Sequence, residues 1–313
     1  MIGAPVLVGV DLGGTKITVC VETAAGRTER SWPSSGLFDV DLGQRGRRVA
    51  ELIASVLVTV EAGSSPRVGI GAHGCDSEEQ CAALAAGVRA GLPGAVTTVV
   101  NDAELLPLSS DEPAVGVVSG TGSIAVGRSA DGEPILAGGW GWLLGDEGGA
   151  SGIVREAVRA VLEAVQQDPT DVDPLIEAVR TAFDVPSVAD LPERVSTMPP
   201  DEWADRCRVV FAAADAGSVR ALRVIDDAAD HLLHLVQTLR RRGVVFGAVV
   251  AAGSVVVRQP RLERAFRERL RLLDAPVRLV VLDRAPVLGA LRLASRGRSS
   301  SRSISLTAVG EAG

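Results

Sequence analysis

Apolar and polar positions along the chain predict strands that alternate with helices. Val6–Val10 is a run of mostly β-branched residues, and Lys16–Val21 resumes an alternating apolar pattern after a glycine-rich break, so the two stretches predict a β-hairpin. The stretches that follow predict, in order, a helix over Val49–Val60, a strand over Arg67–Ala72, a helix over Glu78–Ala90 and a strand over Val96–Val100. This alternation is typical of an α/β domain.

The second part of the chain begins with the same pattern. Strands predicted over Val115–Val118 and Ile124–Arg128 flank a turn of small residues, so each half has one hairpin, which indicates an internal repeat of architecture. The remaining pattern predicts a helix over Ser151–Glu163, an insertion of helices and loops over Gln166–Asp201, long helical material over Arg206–Arg242, a strand over Val244–Ala251 and a helix over Leu262–Leu273. We therefore expect one domain over 1–112 and a second over 113–285, with 286–295 a candidate for returning to the first.

Length and composition favour a two-domain protein that acts on small molecules. A chain of 313 residues with 46% hydrophobic and 23% charged residues exceeds the size at which a single core usually stops growing. A net charge of −7 argues against a protein that binds nucleic acid or an anionic membrane surface. Residues 296–313 combine Arg, Ser and Gly with little apolar periodicity, which predicts a disordered tail; a basic RNA-binding tail is the alternative.

The cysteines and the N-terminus indicate the compartment. The four cysteines form no CxxC pair and no metal-binding spacing, which predicts reduced thiols; they are Cys20, Cys75, Cys81 and Cys207. The sequence shows no signal peptide and no run of 18 apolar residues, so we expect a cytoplasmic protein.

Two turns of glycine and hydroxyl residues are candidates for holding the phosphates of a nucleotide. Adjacent glycines let backbone N–H groups approach an anion, and hydroxyl or ammonium groups add donors. Each turn alone also fits a plain hairpin, and the pairing of two such turns in successive halves favours the ligand. The residues concerned are Gly13, Gly14, Thr15 and Lys16 in the first turn and Gly120, Thr121, Gly122 and Ser123 in the second.

Asn101 and Asp102 follow the predicted strand Val96–Val100, where open α/β sheets place ligands and catalytic groups. A carboxylate at this position would accept the proton of an attacking hydroxyl during phosphoryl transfer. The alternative is an Asx cap at the start of the next helix. Lys16 and Asn101 are the only lysine and the only asparagine of the chain, and both fall inside these motifs.

Two later segments complete the set of candidate motifs. Residues 138–149 read GGWGWLLGDEGG, and carboxylates beside an aromatic face are a common way of holding a sugar; domain-hinge packing, with Asp146 as a helix cap, is the alternative. Residues 249–254 read VVAAGS, where Ala252, Gly253 and Ser254 would let adenine or ribose lie against the backbone; a simple strand-to-helix turn fits equally well.

Together these motifs resemble the N-acetylglucosamine kinase branch of the BadF/BadG/BcrA/BcrD ATPase family, within the sugar kinase, Hsp70 and actin superfamily. The resemblance runs in order from Val8 to Ala294 and is most specific over Gly120–Gly148. It implies an α/β fold of two actin-like ATPase (ribonuclease H-like) domains around an interdomain cleft, and transfer of the γ-phosphoryl group of ATP to a hydroxyl, the 6-OH, of N-acetylglucosamine, glucosamine or a related hexose. A homodimer is also expected.

The resemblance also implies roles for individual residues. Asp102 would be the catalytic base, Asp11 would hold Mg²⁺ through water, the two glycine turns and Ala252–Ser254 would bind ATP, and the substrate contacts would be Gly74, Asn101, Asp102, Gly139, Trp140 and Asp146. Two departures affect the sugar pocket: the stretch Trp32–Gly46 lacks the asparagine usual in that loop, and Gly149–Gly152 stands where the family carries an aromatic pair.

Other members of the superfamily fit the sequence less well. An ATPase activator of a radical dehydratase needs cysteines for an iron–sulfur cluster, and the zinc-containing sugar kinases need a cysteine-rich loop near a histidine; neither pattern occurs in the sequence. A sugar-responsive repressor adds an N-terminal helix-turn-helix, which is not expected here. A degenerate, sugar-sensing relative without turnover remains the non-catalytic alternative.

Overall fold

The computed structural model describes residues 6–59 and 65–296, and the first half of the chain forms a five-stranded mixed sheet. The first sheet has the order β3-β2-β1-β4-β5, with β1 antiparallel to β2 and parallel to β4. Its strands are β1 (Leu7–Leu12), β2 (Lys16–Thr23), β3 (Gly26–Pro33), β4 (Arg67–Ala72) and β5 (Val96–Asn101). Helices α1 (Leu42–Leu57) and α2 (Glu78–Gly91) pack against each other and share one core with this sheet.

The second half repeats this topology. The second sheet has the order β10-β9-β6-β7-β8, so its hairpin and its two parallel strands correspond to those of the first sheet. Its strands are β6 (Ala114–Ser119), β7 (Ser123–Arg128), β8 (Pro134–Gly138), β9 (Ala248–Ala252) and β10 (Arg278–Val281). The internal repeat predicted from the two hairpins is therefore present as a duplicated sheet.

Helices fill the space around the second sheet and connect the two halves. A 3-10 turn (Asp102–Glu104) and the short α3 (Leu105–Leu108) lead from the first sheet to the second. The helices that follow are α4 (Ala150–Gln167), α5 (Pro174–Ala182), α6 (Leu191–Ser196), α7 (Pro200–Ala204), α8 (Cys207–Asp215), α9 (Val219–Arg241), α10 (Ser254–Arg258), α11 (Pro260–Leu270) and α12 (Val287–Arg296), with a 3-10 turn at Val188–Asp190. Most of them surround one large apolar core on the second sheet.

The last helix returns to the first sheet. Helix α12 packs against β1 and β4, and its Ala290 and Leu293 share a small core with Leu105 of α3. The domain boundaries expected from the sequence stay a proposal, and the predicted tail beyond Arg296 lies outside the described residues. Within the described ranges, no helix combines the length and the apolar character needed to cross a membrane.

The sequence pattern missed three strands, all at sheet edges or next to them. Strand β3 is largely exposed and carries Arg and Glu, β8 has five residues, and β10 has four. Short or polar strands show little apolar alternation, so their pairing is decided by the neighbouring strand. The predicted strand Val244–Ala251 begins only at Ala248, and the long helical stretch divides at Gly217, where the backbone is left-handed and Ser218 caps α9.

Candidate functional site

The register of the first sheet brings three chain segments to one edge. Leu12 pairs with Ala72, and Ala72 pairs with Asn101, so β1, β4 and β5 end side by side. The first glycine turn, His73 and Asp102 each directly follow one of these strand ends. Because all three strands are parallel, their carboxyl ends form the kind of edge where α/β proteins bind ligands.

Asp11 is a carboxylate in an unfavourable electrostatic position. It lies near the end of β1, paired with Thr18 on one side and Gly71 on the other. Its pKa is raised to about 7, chiefly by burial and further by the negative charge of Asp102, with Lys16 acting in the opposite direction. A cation brought to this edge would therefore be stabilised by Asp11 and would relieve its repulsion with Asp102.

Asp102 and His73 form a pair at the same edge. Nδ1 of His73 lies 3.6 Å from Oδ2 of Asp102, and the Oδ1 atom of Asp102 accepts a hydrogen bond of 2.9 Å from the backbone N–H of Ala103. The side chain of Asp102 is 32% exposed, so the carboxylate reaches the solvent. Its two oxygens are thus oriented by the protein while the group stays accessible to a substrate.

Asn101 has the capping role that the sequence offered as an alternative. Its Oδ1 accepts a hydrogen bond from the N–H of Ala103, and its Nδ2 donates to Oδ1 of Asp76 at 2.8 Å. Gly74 lies beside this pair in the segment after β4, in a left-handed conformation. The predicted substrate contacts of Asn101 and Gly74 therefore remain predictions, although both residues lie at the same edge as Asp102.

The second glycine turn is held by hydrogen bonds on two sides. The backbone N–H of Ala150 and Ser151, at the start of α4, donate to the carbonyls of Gly120 and Thr121. On the other side, Oδ1 of Asp146 accepts a hydrogen bond of 2.9 Å from the N–H of Ser123. A Cβ on Gly122 would lie 2.6 Å from Oδ2 of Asp146, so the carboxylate packs directly on the turn.

The segment predicted to hold adenosine touches this second turn. Gly253 has φ of +110°, and a Cβ there would lie 2.3 Å from the carbonyl oxygen of Ser119, at the end of β6. Only glycine fits this conformation and this approach. The structure thus brings Ala252–Ser254 and Gly120–Ser123 together, as expected if they hold two parts of one nucleotide.

The glycine-rich segment 138–149 divides its two tryptophans between surface and core. Trp140 is 60% exposed, whereas Trp142 packs against Trp203 with ring centroids 5.5 Å apart. Arg155 of α4 donates to the carbonyls of Trp142 and Gly145 and holds the segment in place. Trp140 is therefore available for a ligand, while Trp142 has the packing role that the sequence left open as an alternative.

Asp146 has a backbone that few non-glycine residues adopt. Its φ is +64°, and the residue as a whole is 9% exposed. Such strain is often found at functional sites and is maintained only where surrounding contacts require it. The predicted sugar contact of Asp146 stays a prediction, and the observed contacts link the GDEG segment to the second phosphate turn.

One ion pair, between a buried glutamate and a partly exposed arginine, joins the two sets of motifs. Glu104, two residues after Asp102, is 3% exposed, and its Oε2 accepts a hydrogen bond of 2.6 Å from Arg128 on β7. Through this pair the turn that carries Asp102 is attached to the hairpin that carries the second glycine turn. Sequence reasoning missed Glu104, His73 and Arg128, because their importance depends on contacts between distant segments.

Two pockets differ in how they relate to the predicted site residues. One of about 580 Å³ is lined by residues of α2, β5 and Arg128 and contains none of the predicted site residues. The other, of about 270 Å³, lies between segment 136–147 and α9, and Trp140, Asp146, Glu147 and His231 line it. The second pocket therefore contains two of the predicted sugar contacts.

Comparisons with known proteins show which family the chain resembles. The profile of the BadF/BadG/BcrA/BcrD ATPase family matches residues 8–271. An N-acetylmuramic acid/N-acetylglucosamine kinase of Clostridium acetobutylicum is 30% identical over 237 residues, which cover 72% of this chain and 76% of that protein. An N-acetyl-D-glucosamine kinase of Dictyostelium discoideum is 24% identical over 258 residues, which cover 76% of this chain and 80% of that protein.

The fold has close counterparts among solved structures. A protein from Chromobacterium violaceum, provisionally named an N-acetylglucosamine kinase, superposes with a TM-score of 0.66 at 20% identity and covers 93% of this chain and 99% of that one. At this identity the similarity concerns the fold alone. The expected two-part actin-like fold is confirmed.

Proposed function

Because the chain belongs to the BadF/BadG/BcrA/BcrD ATPase family, we propose that it is an ATP-dependent sugar kinase. The protein is then a phosphotransferase with an alcohol acceptor, which agrees with the names of both relatives. The observation that carries the proposal is the position of Asp102. Its carboxylate is accessible, lies at the carboxyl edge of the first sheet, and is electrostatically coupled to Asp11 beside the first glycine turn.

The residues at this edge can perform the acceptor half of a phosphoryl transfer. Asp102 would accept the proton of the sugar hydroxyl as its oxygen attacks the γ-phosphorus, and the carboxylate is held for this by Ala103 and His73. Lys16 and the backbone N–H groups of the first turn would offset the charge on the phosphates. The catalytic work is therefore mainly positioning and charge stabilisation.

The second cluster can hold the nucleotide. Gly120–Ser123 would contact phosphates, and Ala252–Ser254, which touch the same turn, would contact the adenosine. Trp140 offers an exposed indole face and, with Gly139, would contact the sugar. Asp146 would link the sugar contacts to the phosphate turn, because it lies in segment 138–149 and its carboxylate accepts a hydrogen bond from the N–H of Ser123.

The donors at the first edge fit Mg²⁺ held mainly by water. Burial and the negative charge of Asp102 raise the pKa of Asp11, and a divalent ion beside the carboxylate would offset both effects. Among the described residues no three or more Asp, Glu, His or Cys side chains form a metal cage. Mg²⁺ often binds through one or two carboxylates, substrate phosphates and waters, so Asp11 would hold the hydrated ion.

The acceptor can be identified by a direct assay. We propose N-acetylglucosamine, glucosamine or a related hexose as the acceptor, because the matched relatives are named for N-acetylglucosamine and N-acetylmuramic acid; the 6-OH as the site of phosphorylation is proposed from the family resemblance. Release of ADP should be measured over a panel of free hexoses and their 6-deoxy analogues. Turnover with a hexose and none with its 6-deoxy form is expected; activity with the 6-deoxy sugar would refute the proposed position.

Two further expectations accompany this proposal. A cytoplasmic location and a homodimer are consistent with an enzyme of free sugars but rest on the sequence alone. Light scattering of the purified protein would give the oligomeric state, and a mass of about one chain would exclude the homodimer.

A further inference from the structure

His73 lies between the first glycine turn and Asp102. One edge of its ring presents Nδ1 to Oδ2 of Asp102 at 3.6 Å. The opposite edge faces Gly14, because a Cβ built on Gly14 would lie 3.6 Å from Cδ2 and 3.7 Å from Nε2 of His73. The ring therefore lies between Asp102, on the side of Nδ1, and the first glycine turn, on the side of Nε2.

The ring is held in this position by its surroundings. The backbone N–H of His73 donates to the carbonyl of Leu12 at 2.8 Å, which extends the pairing of β1 with β4 by one residue. The ring edge meets Phe38 at a centroid distance of 5.8 Å, and Phe38 in turn lies 4.4 Å from the guanidinium of Arg45. Arg45 is buried and donates through Nε to the carbonyl of Leu37 at 3.0 Å, so the support is rigid.

The side chain nevertheless stays open to a ligand, since it is 60% exposed. A core histidine held only for packing would be covered on most sides. The combination of a fixed ring, an accessible surface and two differently directed nitrogens is that of a group prepared to bind a substrate.

We propose that His73 is a further catalytic residue of the phosphoryl-transfer site, donating from Nδ1 to Asp102 and from Nε2 to an oxygen of the transferring phosphoryl group. This inference rests on the proposed function. A donor placed where negative charge develops stabilises the transition state more than the ground state. The contact with Asp102 is longer than a hydrogen bond, and catalytic contacts of this kind commonly shorten when substrates bind.

The charges around the ring favour the doubly protonated form that this role requires. The polar contact with Asp102 raises the pKa of His73, burial lowers it, the charges of Asp102 and Asp76 raise it further, and Arg45 lowers it; the net direction is upward. An imidazolium has an N–H on both nitrogens, so one ring can serve both partners.

Three variants separate the two halves of the proposed role. In His73→Asn the amide can take the place of Nδ1 beside Asp102 but does not reach Gly14. In His73→Gln the amide can take the place of Nε2 but is not aimed at Asp102. His73→Ala lacks both groups, and Arg208→Gln, at an exposed position of α8 away from both pockets, is the control.

The measurements are kcat, KM for ATP, KM for the sugar and the melting temperature of each variant. We expect kcat to fall about tenfold for each amide variant and about 10²-fold for His73→Ala, with KM for the sugar within about twofold and the melting temperature unchanged. The control should equal the wild type in all four quantities.

Three results would overturn the inference. A His73→Ala enzyme with kcat within threefold of wild type removes His73 from catalysis. A rise confined to KM for the sugar makes it a wall of the sugar pocket, and a loss of activity that parallels a lower melting temperature makes its role structural. A wild type that phosphorylates no sugar refutes the proposed function and this inference with it, whereas an active wild type with active variants refutes only the inference.

Discussion

Two aspartates of this chain have surroundings that suit them to different tasks. Asp102 is accessible, and its Oδ2 lies near Nδ1 of His73. Asp146 is buried, and its Oδ1 accepts a hydrogen bond from the N–H of Ser123. A group that takes part in proton transfer must be reachable by the substrate, and a group that orders a turn must be fixed to it. At the scale of single residues, accessibility therefore separates the proposed base from the residue that supports a phosphate turn.

Replacement of Asp102 by Asn should abolish turnover and spare nucleotide binding. The amide keeps the size of the carboxylate but cannot accept the proton of the sugar hydroxyl, so kcat should fall by about 10²–10⁴-fold while KM for ATP changes little. Kinetics by ADP release would measure both. Asp111→Asn, an exposed partner of Arg292, serves as the control, and an Asp102→Asn enzyme that keeps more than a third of wild-type kcat would rule out the role of base.

Replacement of Asp146 by Ala tests which partner this residue serves. Loss of the buried hydrogen bond to Ser123 should lower the free energy of unfolding by about 1–3 kcal/mol and raise KM for ATP, because the second turn loses its support. Asp184→Ala is the matched control, since Asp184 is exposed and also left-handed, with φ of +53°. If KM for the sugar rises and KM for ATP does not, the direct sugar contact predicted from the sequence is the better description.

The 3-10 turn Asp102–Glu104 is the element on which the site depends most. It begins with the proposed base and ends with Glu104, whose buried carboxylate is paired with Arg128 of the other sheet. A buried ion pair of this kind is a weak source of stability but is costly to break, because the remaining charge has no partner. The pair therefore fixes where Asp102 stands relative to the second hairpin.

Glu104→Ala should lower the free energy of unfolding by about 3–5 kcal/mol, and Arg128→Ala by a comparable amount. Denaturant unfolding would measure both. The control is Glu112→Ala, which breaks the exposed pair with Arg278 and should cost about 1 kcal/mol or less. Equal losses for Glu104→Ala and Glu112→Ala would show that the buried pair is not a structural link.

The same pair has a defined pH dependence. Burial raises the pKa of Glu104, partly opposed by Arg128 and by the N–H of Asn101, so the folded chain holds this proton more tightly than the unfolded chain. The contribution of Glu104 to stability therefore falls as pH rises from about 4, where the unfolded carboxyl ionises, through the folded-state pKa. Over that range the stability of the wild type relative to Glu104→Gln should decrease, and an increase would contradict the raised pKa.

The whole molecule has two similar sheets, with the proposed base and the proposed adenosine contacts on different ones. Asp102 follows β5 of the first sheet, and Gly253 follows β9 of the second. We therefore propose that the two halves close over both substrates, which would also exclude water from the reacting phosphoryl group. Two predictions belong to this scale.

Activity should depend on Mg²⁺. EDTA should abolish ADP release and added Mg²⁺ should restore it, because the ion offsets the charge of the transferring phosphoryl group. Asp11→Asn should raise the Mg²⁺ concentration for half-maximal activity by about 10–100-fold, as expected for a carboxylate that holds the ion through water. Full activity in EDTA would refute phosphoryl transfer as the reaction.

Sugar binding should close the molecule. ATP turnover with sugar should far exceed the sugar-free background, and X-ray scattering should show a smaller radius of gyration with sugar and a non-hydrolysable ATP analogue than with neither. The 6-deoxy sugar is the control, because it should bind but has no 6-OH to be phosphorylated. An unchanged radius of gyration in the presence of both ligands would contradict domain closure.

Local patterns of the sequence determined much of this protein. Periodicity and turn residues predicted the strands Arg67–Ala72 and Val96–Val100 and both glycine hairpins, because these depend on neighbours a few residues apart. The ordered set of motifs was sufficient to predict the BadF/BadG/BcrA/BcrD family, which the profile match confirms. The duplicated topology also followed from the repeat of the hairpin.

Tertiary structure decided which side chains meet. Sheet register placed Leu12, Ala72 and Asn101 at one edge and so brought His73 between Gly14 and Asp102. Packing placed Trp142 against the core of the second sheet while Trp140 stayed exposed. These outcomes depend on pairings between residues far apart in the chain, and the hydrophobic pattern is compatible with many of them. Long-range packing selects among them, and the arrangement adopted buries one face of each sheet and gives the carboxylates of Glu104 and Asp146 hydrogen-bond donors.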